Sequence, residues 1–170
     1  MKTSTACLIL ALAAPLAADE GNPQIDFGKF AELTANAGAE REKRRISEDK
    51  FLEMAAEEGT VILDTRSKAK FDRLHVKGAI HLNFSDFADE TLAELIPDKT
   101  TRILIYCNNN FEGVGAAMIT KSAPLALNIP TFLNLWGYGY RNIYELRPFL
   151  DIKKTRIPFE GSDVLNRETE

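Results

Sequence analysis

The sequence predicts an α/β domain with a mainly parallel central sheet flanked by helices on both faces. Three observations carry that reading. Two short runs, Thr60 to Leu63 and Arg102 to Tyr106, are continuously apolar rather than alternating, the pattern of strands buried on both sides. Helical segments separate the strand candidates, and strand–helix–strand units close with right-handed crossovers onto a parallel sheet. A chain of 170 residues, 45% hydrophobic and 27% charged, is long enough for one such core with short extensions.

The elements follow in order. Lys2, an apolar run from Ala6 to Leu16 too short to span a bilayer, and the small residues Ala17 and Ala18 before Asp19-Glu20 resemble an export signal cleaved near Ala18. An uncleaved anchor is the alternative. Residues 19–46 form a polar arm, in which Gln24 to Leu33 can pack as a short helix and Glu40 to Arg45 is expected in solvent. The domain proper spans residues 47–152, and residues 153–170 read as a tail. Ser47, followed by Glu48 and Asp49, caps a helix whose apolar side is Phe51, Leu52 and Ala55, with Gly59 ending it. Lys68 to Arg73 reads as a helical turn, Ala79 to Leu82 as a strand, and Phe84 to Leu95 as a helix stopping before Pro97. Ser122 with Pro124 starts another helix, interrupted at Pro130 and ending at Gly137 or Gly139. Asn142 to Leu146 is the last strand.

The formal net charge of -4 argues against general nucleic-acid binding, which needs a basic face. Removal of the leader would take Cys7 with it and leave Cys107 as the single thiol, excluding an intramolecular disulfide. Cys107 directly follows the strongest strand, at the edge where open parallel sheets bind ligands. The segment after it, Asn108-Asn109-Asn110-Phe111-Glu112-Gly113, is polar and rich in residues that tolerate left-handed backbone angles. Such a loop can curl so that backbone N–H groups stabilise a thiolate, a persulfide or an oxyanion. His75, His81 and one Cys do not make a metal site, and His75 reads as a structural hydrogen-bonding residue. Trp136, Tyr138 and Tyr140 read as core.

Four segments in order resemble the rhodanese-like family over Ser47 to Leu150. Val61-Ile62-Leu63-Asp64-Thr65-Arg66 resembles its first strand and Asp-x-Arg. Phe71 to Ile80 resembles its aromatic-x-x-Gly-His-Ile-x-Gly-Ala segment, with Leu74 in place of the Gly. Ile103-Leu104-Ile105-Tyr106-Cys107 resembles the strand leading into the catalytic Cys, and Gly139 to Leu146 its Gly-Tyr-x-Asn-Val-x-x-Leu ending. The resemblance implies a sulfane-sulfur carrier or thiosulfate sulfurtransferase-type enzyme. In it Cys107 would take sulfur from a small sulfur-containing anion, become a persulfide and pass the sulfur to a thiol or cyanide, with no metal or organic cofactor.

Asp64 and Arg66 either line the active face or orient the neighbouring loops. Two departures from the family pattern bear on function. Glu112 stands where a cation or small polar residue is usual; pointing inward, it would repel an anionic donor, and pointing outward it would be neutral to the chemistry. The stretch from Gly113 to Asn128 is longer than usual, and Lys121 within it is either a solvated lysine or the positive partner the loop lacks. These departures keep a second reading open, a catalytically inactive binding module on the same fold. A Cys-based phosphatase would need an Arg where Gly113 stands.

Overall fold

The computed structural model describes residues 22–113 and 118–165. The leader lies outside the described residues. The central sheet has five strands, all parallel, in the order β1 (Arg45–Ile46), β7 (Ile143–Leu146), β5 (Arg102–Ile105), β2 (Thr60–Asp64), β4 (Ile80–His81). Between β2 and β7 in sequence lie β3 (His75–Val76), which pairs antiparallel with β9 (Phe159–Glu160), and β6 (Phe111–Glu112), which pairs with β8 (Leu150–Asp151). The segment beyond 152 is therefore packed onto the domain, with Ile157 buried and α6 (Ser162–Leu165) lying against α3 (Lys68–Arg73).

Alternation along each strand splits the apolar residues between two cores, which is why the runs are continuous. Ile62, Leu104 and Leu146 face one side with Phe51 and Met54 of α2 (Glu48–Ala55). Leu63, Ile103, Ile105 and Ile143 face the other, under Ala37 of α1 (Phe27–Lys43), Leu92 of α4 (Asp89–Leu95) and Phe132, Leu133 and Leu135 of α5 (Asn128–Gly137). Each fully buried aliphatic side chain contributes about 1.5–3 kcal/mol. β5 lies at the centre, and three of its four residues, Ile103, Leu104 and Ile105, are wholly inaccessible.

Local expectations hold where local chemistry decides. Ser47 caps α2, its hydroxyl accepting from the Lys50 amide at 3.2 Å. Three expectations are corrected. The Phe84 to Leu95 helix is broken: a 3₁₀ turn at Phe84–Asp86 precedes α4, and the Thr91 hydroxyl accepts from the Ala88 amide to start the second piece. Pro130 does not interrupt a helix begun at Ser122; Ala123–Leu125 is an isolated 3₁₀ turn and Pro130 sits in the first turn of α5, where no amide donor is needed. Glu40 to Arg45 is not simply solvated, because α1 runs through Lys43 and turns Arg41 inward, leaving its side chain only 16% exposed.

Candidate active site

Cys107 follows β5 in an extended conformation and caps a 3₁₀ turn at Asn108–Asn110. It is 2% exposed and is the one free cysteine among the described residues. The expected left-handed curl is absent: every positive φ in the described residues belongs to glycine, and here only Gly113 has one. Instead the Asn side chains tie the loop down. Asn110 Oδ1 accepts from the Cys107 amide at 2.9 Å, and Asn110 Nδ2 donates to the Leu146 and Pro148 carbonyls at 2.7 and 3.1 Å. Asn108 Nδ2 donates to the Ile119 carbonyl at 2.7 Å. Asn109 makes a reciprocal pair with the Lys121 backbone, accepting at 3.0 Å and donating at 2.7 Å. Residues 119–121 are thereby held across the mouth of the site.

A cavity of about 20 Å³ opens at the sulfur, lined by Arg66, Cys107, Asn108, Asn109, Lys121 and Leu127. It has room for about one small atom or water. Arg66 is spent on the protein: it pairs with Asp64 through Nε and Nη2, donates through Nη2 to the Leu74 carbonyl at 2.6 Å, and donates through Nη1 to Asn108 Oδ1 at 3.1 Å. The Tyr106 hydroxyl donates to Asp64 at 2.5 Å and accepts from the Val76 amide at 3.0 Å. Asp64 and Arg66 thus orient the loops, and Arg66 also lines the cavity. The exposed Lys121 is a cavity-lining cation without that engagement.

Burial pushes the Cys107 thiol above its ordinary range, and the neighbouring Glu145 carboxylate adds to the rise. The backbone N–H groups of Asn128, Asn109 and Leu127 lie against the sulfur and oppose it. Two of these three belong to the start of α5, where the helix dipole presents partial positive charge. The opposing influence therefore comes mainly from the start of α5, some twenty positions downstream, rather than from the loop itself.

Residues 47–148 match the family described as Rhodanese-like domain. The chain belongs to that family. It is 26% identical over 99 residues to the thiosulfate sulfurtransferase GlpE of Pseudomonas putida (strain GB-1), covering 58% of this chain and 89% of that protein. In structure it resembles the BH2092 protein of Bacillus halodurans, with a TM-score of 0.54 at 16% identity over 78% of this chain and 88% of that one. It also resembles a rhodanese-like domain from Anabaena sp., with a TM-score of 0.50 at 20% identity over 71% and 81% of the two chains. Both structural likenesses concern the fold, which here carries the α/β parallel architecture of the rhodanese-like family.

Against that family pattern the remaining residues fall as follows. Glu112 is exposed on β6, its carbonyl accepting from the Ile152 amide at 3.2 Å, and it is not among the residues that line the cavity at Cys107. Phe111 is core, and Gly113 is exposed. Of the loop, Asn108 and Asn109 line the cavity, while Asn110 braces it from beneath. His75 stacks on Phe71 at 3.8 Å and bonds the Phe71 carbonyl at 2.7 Å; His81 bonds the Arg66 carbonyl at 2.7 Å. Tyr140 is core, bonding the Leu92 and Ile96 carbonyls at the end of α4. Sequence reasoning missed Asn128, Glu145 and Arg41. The one available signal was Glu145 itself, an acid inside an otherwise apolar strand.

Proposed function

We propose that this rhodanese-like domain is a sulfurtransferase or sulfane-sulfur carrier that works through a persulfide on Cys107. The observation that carries the reading is the place of Cys107, just beyond the central strand β5 and lining a cavity sized for one atom. A terminal persulfide sulfur fits such a space, and the backbone amides of Asn128, Asn109 and Leu127 favour its negative charge. With thiosulfate as donor, the Cys107 thiolate attacks the outer sulfur. A bond forms from Sγ to that sulfur, the donor's S–S bond breaks, and sulfite leaves with the electron pair. An acceptor thiolate then attacks the outer sulfur, its persulfide forms, and Cys107 departs as thiolate. Lys121, at the cavity mouth, is placed to attract an anionic donor as far as its side chain reaches.

The closed cavity and the raised thiol favour a second reading, a binding module without turnover. One experiment separates the two. Incubation with thiosulfate is expected to add about 32 Da, one sulfur atom, reversed by reductant and absent in Cys107→Ser. No adduct with thiosulfate or with an organic persulfide donor overturns the carrier reading. Export to the periplasm or beyond, with cleavage near Ala18, belongs to the same proposal; sequencing the N-terminus of the protein recovered from the periplasmic fraction tests it.

A further inference from the structure

A buried polar chain connects α1, outside the family-matched segment, to the reactive sulfur. Arg41 of α1 pairs with Glu145 of β7, donating through Nη2 to Oε1 at 2.6 Å, while its Nε stands 2.6 Å from Oε2 as an ion-pair contact without hydrogen-bond geometry. Arg45 Nε of β1 stands 3.7 Å from Oε1. Glu145 is 3% exposed. Its register partner on β5 is Ile105, so its side chain emerges on the α1 and α5 face of the sheet, the face that Cys107 continues. Burial pushes the Glu145 carboxyl above its ordinary range, and Arg41, Arg45 and the Asn128 side chain oppose that rise. Asn128 Nδ2 donates to Asn110 Oδ1 at 3.0 Å, and that same oxygen accepts from the Cys107 amide. The backbone N–H of Asn128 also opposes the rise of the Cys107 thiol that burial causes. Asn128 Oδ1 is buried with no partner, so the amide's orientation is held by what its nitrogen meets.

We propose that Glu145 and Arg41 are the charge-setting pair of the Cys107 site: Glu145 places a buried carboxylate on the sheet face that Cys107 continues, and Arg41 limits its influence on the sulfur by pairing with it. The physical ground is that a like charge beside a buried group opposes its ionisation, while a guanidinium paired with that charge cancels much of the field. The other charged or titratable groups facing this region are Arg66 and Lys121 at the cavity, Asp64 and Tyr106 behind Arg66, and Arg45 beside Glu145. Asp64 already neutralises Arg66, and Lys121 extends into solvent, so Glu145 is the variable charge on the α5 side. Helix α1 is in this sense a working part of the site, and an event that loosens α1 would quench the thiol.

The test reads the thiol directly and does not depend on sulfur transfer. The alkylation rate of Cys107 by iodoacetamide is measured from pH 6 to 11 in the full chain. Glu145→Gln is expected to lower the midpoint by about one pH unit, a roughly tenfold faster reaction near pH 8. Arg41→Gln is expected to raise the midpoint, slowing alkylation about threefold near pH 8, because it removes the cation that offsets the Glu145 carboxylate. Arg41→Lys is expected to stay close to the parent. In the Glu145→Gln background, Arg41→Gln is expected to change nothing further. Should Arg41→Gln fail to fold by circular dichroism, the double variant, which buries no unpaired carboxylate, still decides: it must match Glu145→Gln. An unmoved midpoint in Glu145→Gln, or an Arg41 effect that persists without the carboxylate, overturns the proposal.

Discussion

Replacing Asp64 by Asn isolates the interaction that holds the mouth of the site. Asp64 is completely buried and Arg66 is 3% exposed. The carboxylate accepts from Arg66 Nε at 2.9 and 3.0 Å, from Nη2 at 2.5 Å, from the Arg66 backbone amide at 2.9 Å and from the Tyr106 hydroxyl at 2.5 Å. Asn preserves shape and one acceptor but leaves a guanidinium buried without its counter-charge. Removing one partner of a buried pair costs about 3–5 kcal/mol. At about 2–4 °C per kcal/mol for a chain of this size, even the lower figure means a fall in Tm of about 6–12 °C. Urea denaturation followed by tryptophan fluorescence and circular dichroism measures the loss. The double replacement Asp64→Leu with Arg66→Met removes both charges and is expected to lose less than Asp64→Asn alone. A loss below about 1 kcal/mol for Asp64→Asn, the size of an exposed ion pair, would refute the claim that this pair is a buried, mutually dependent unit.

Three further outcomes are expected. Because burial raises the Cys107 thiol, the folded protein holds that proton more tightly than the unfolded chain does. The associated stability is complete below the unfolded thiol's pKa, about 8.5, and is lost as pH rises through the folded value, a dependence that pH-resolved denaturation should find flattened in Cys107→Ser. Tyr140→Phe removes the hydroxyl that donates at 2.7 Å to the Ile96 carbonyl and lies 3.1 Å from that of Leu92; leaving them buried is expected to cost about 1–3 kcal/mol in urea denaturation. Gly161→Ala places a Cβ 2.4 Å from the Arg73 carbonyl oxygen at a φ of +123°, so it is expected to cost at least about 1–3 kcal/mol and to expose the 73–74 backbone to faster hydrogen exchange.

Much of the fold was legible because it is encoded over short distances. The continuous apolar run of β5 implied burial on both faces, and both faces are buried. Ser47 announced α2 through a hydroxyl that reaches an amide within the same turn. Pro130 misled because the same residue that breaks a helix interior is favoured in a first turn, and only the packing of α5 decides which applies. The Asn-rich loop misled in a related way: backbone freedom suggested a left-handed curl, whereas the side chains of Asn108, Asn109 and Asn110 do the holding, with partners far along the chain.

What the sequence by itself determined is the parallel α/β scaffold, the family motifs, and the placement of Cys107 where a central strand ends. Periodicity and strand-end position are local properties, and they survive being read one segment at a time. What only the tertiary structure decided is the electrical setting of that sulfur. Glu112, the acid adjacent in sequence, is exposed, while Glu145 is buried on the neighbouring strand β7 and is held by Arg41, 104 positions away. Electrostatic influence depends on distance through space and on burial, neither of which can be read from separation along the chain.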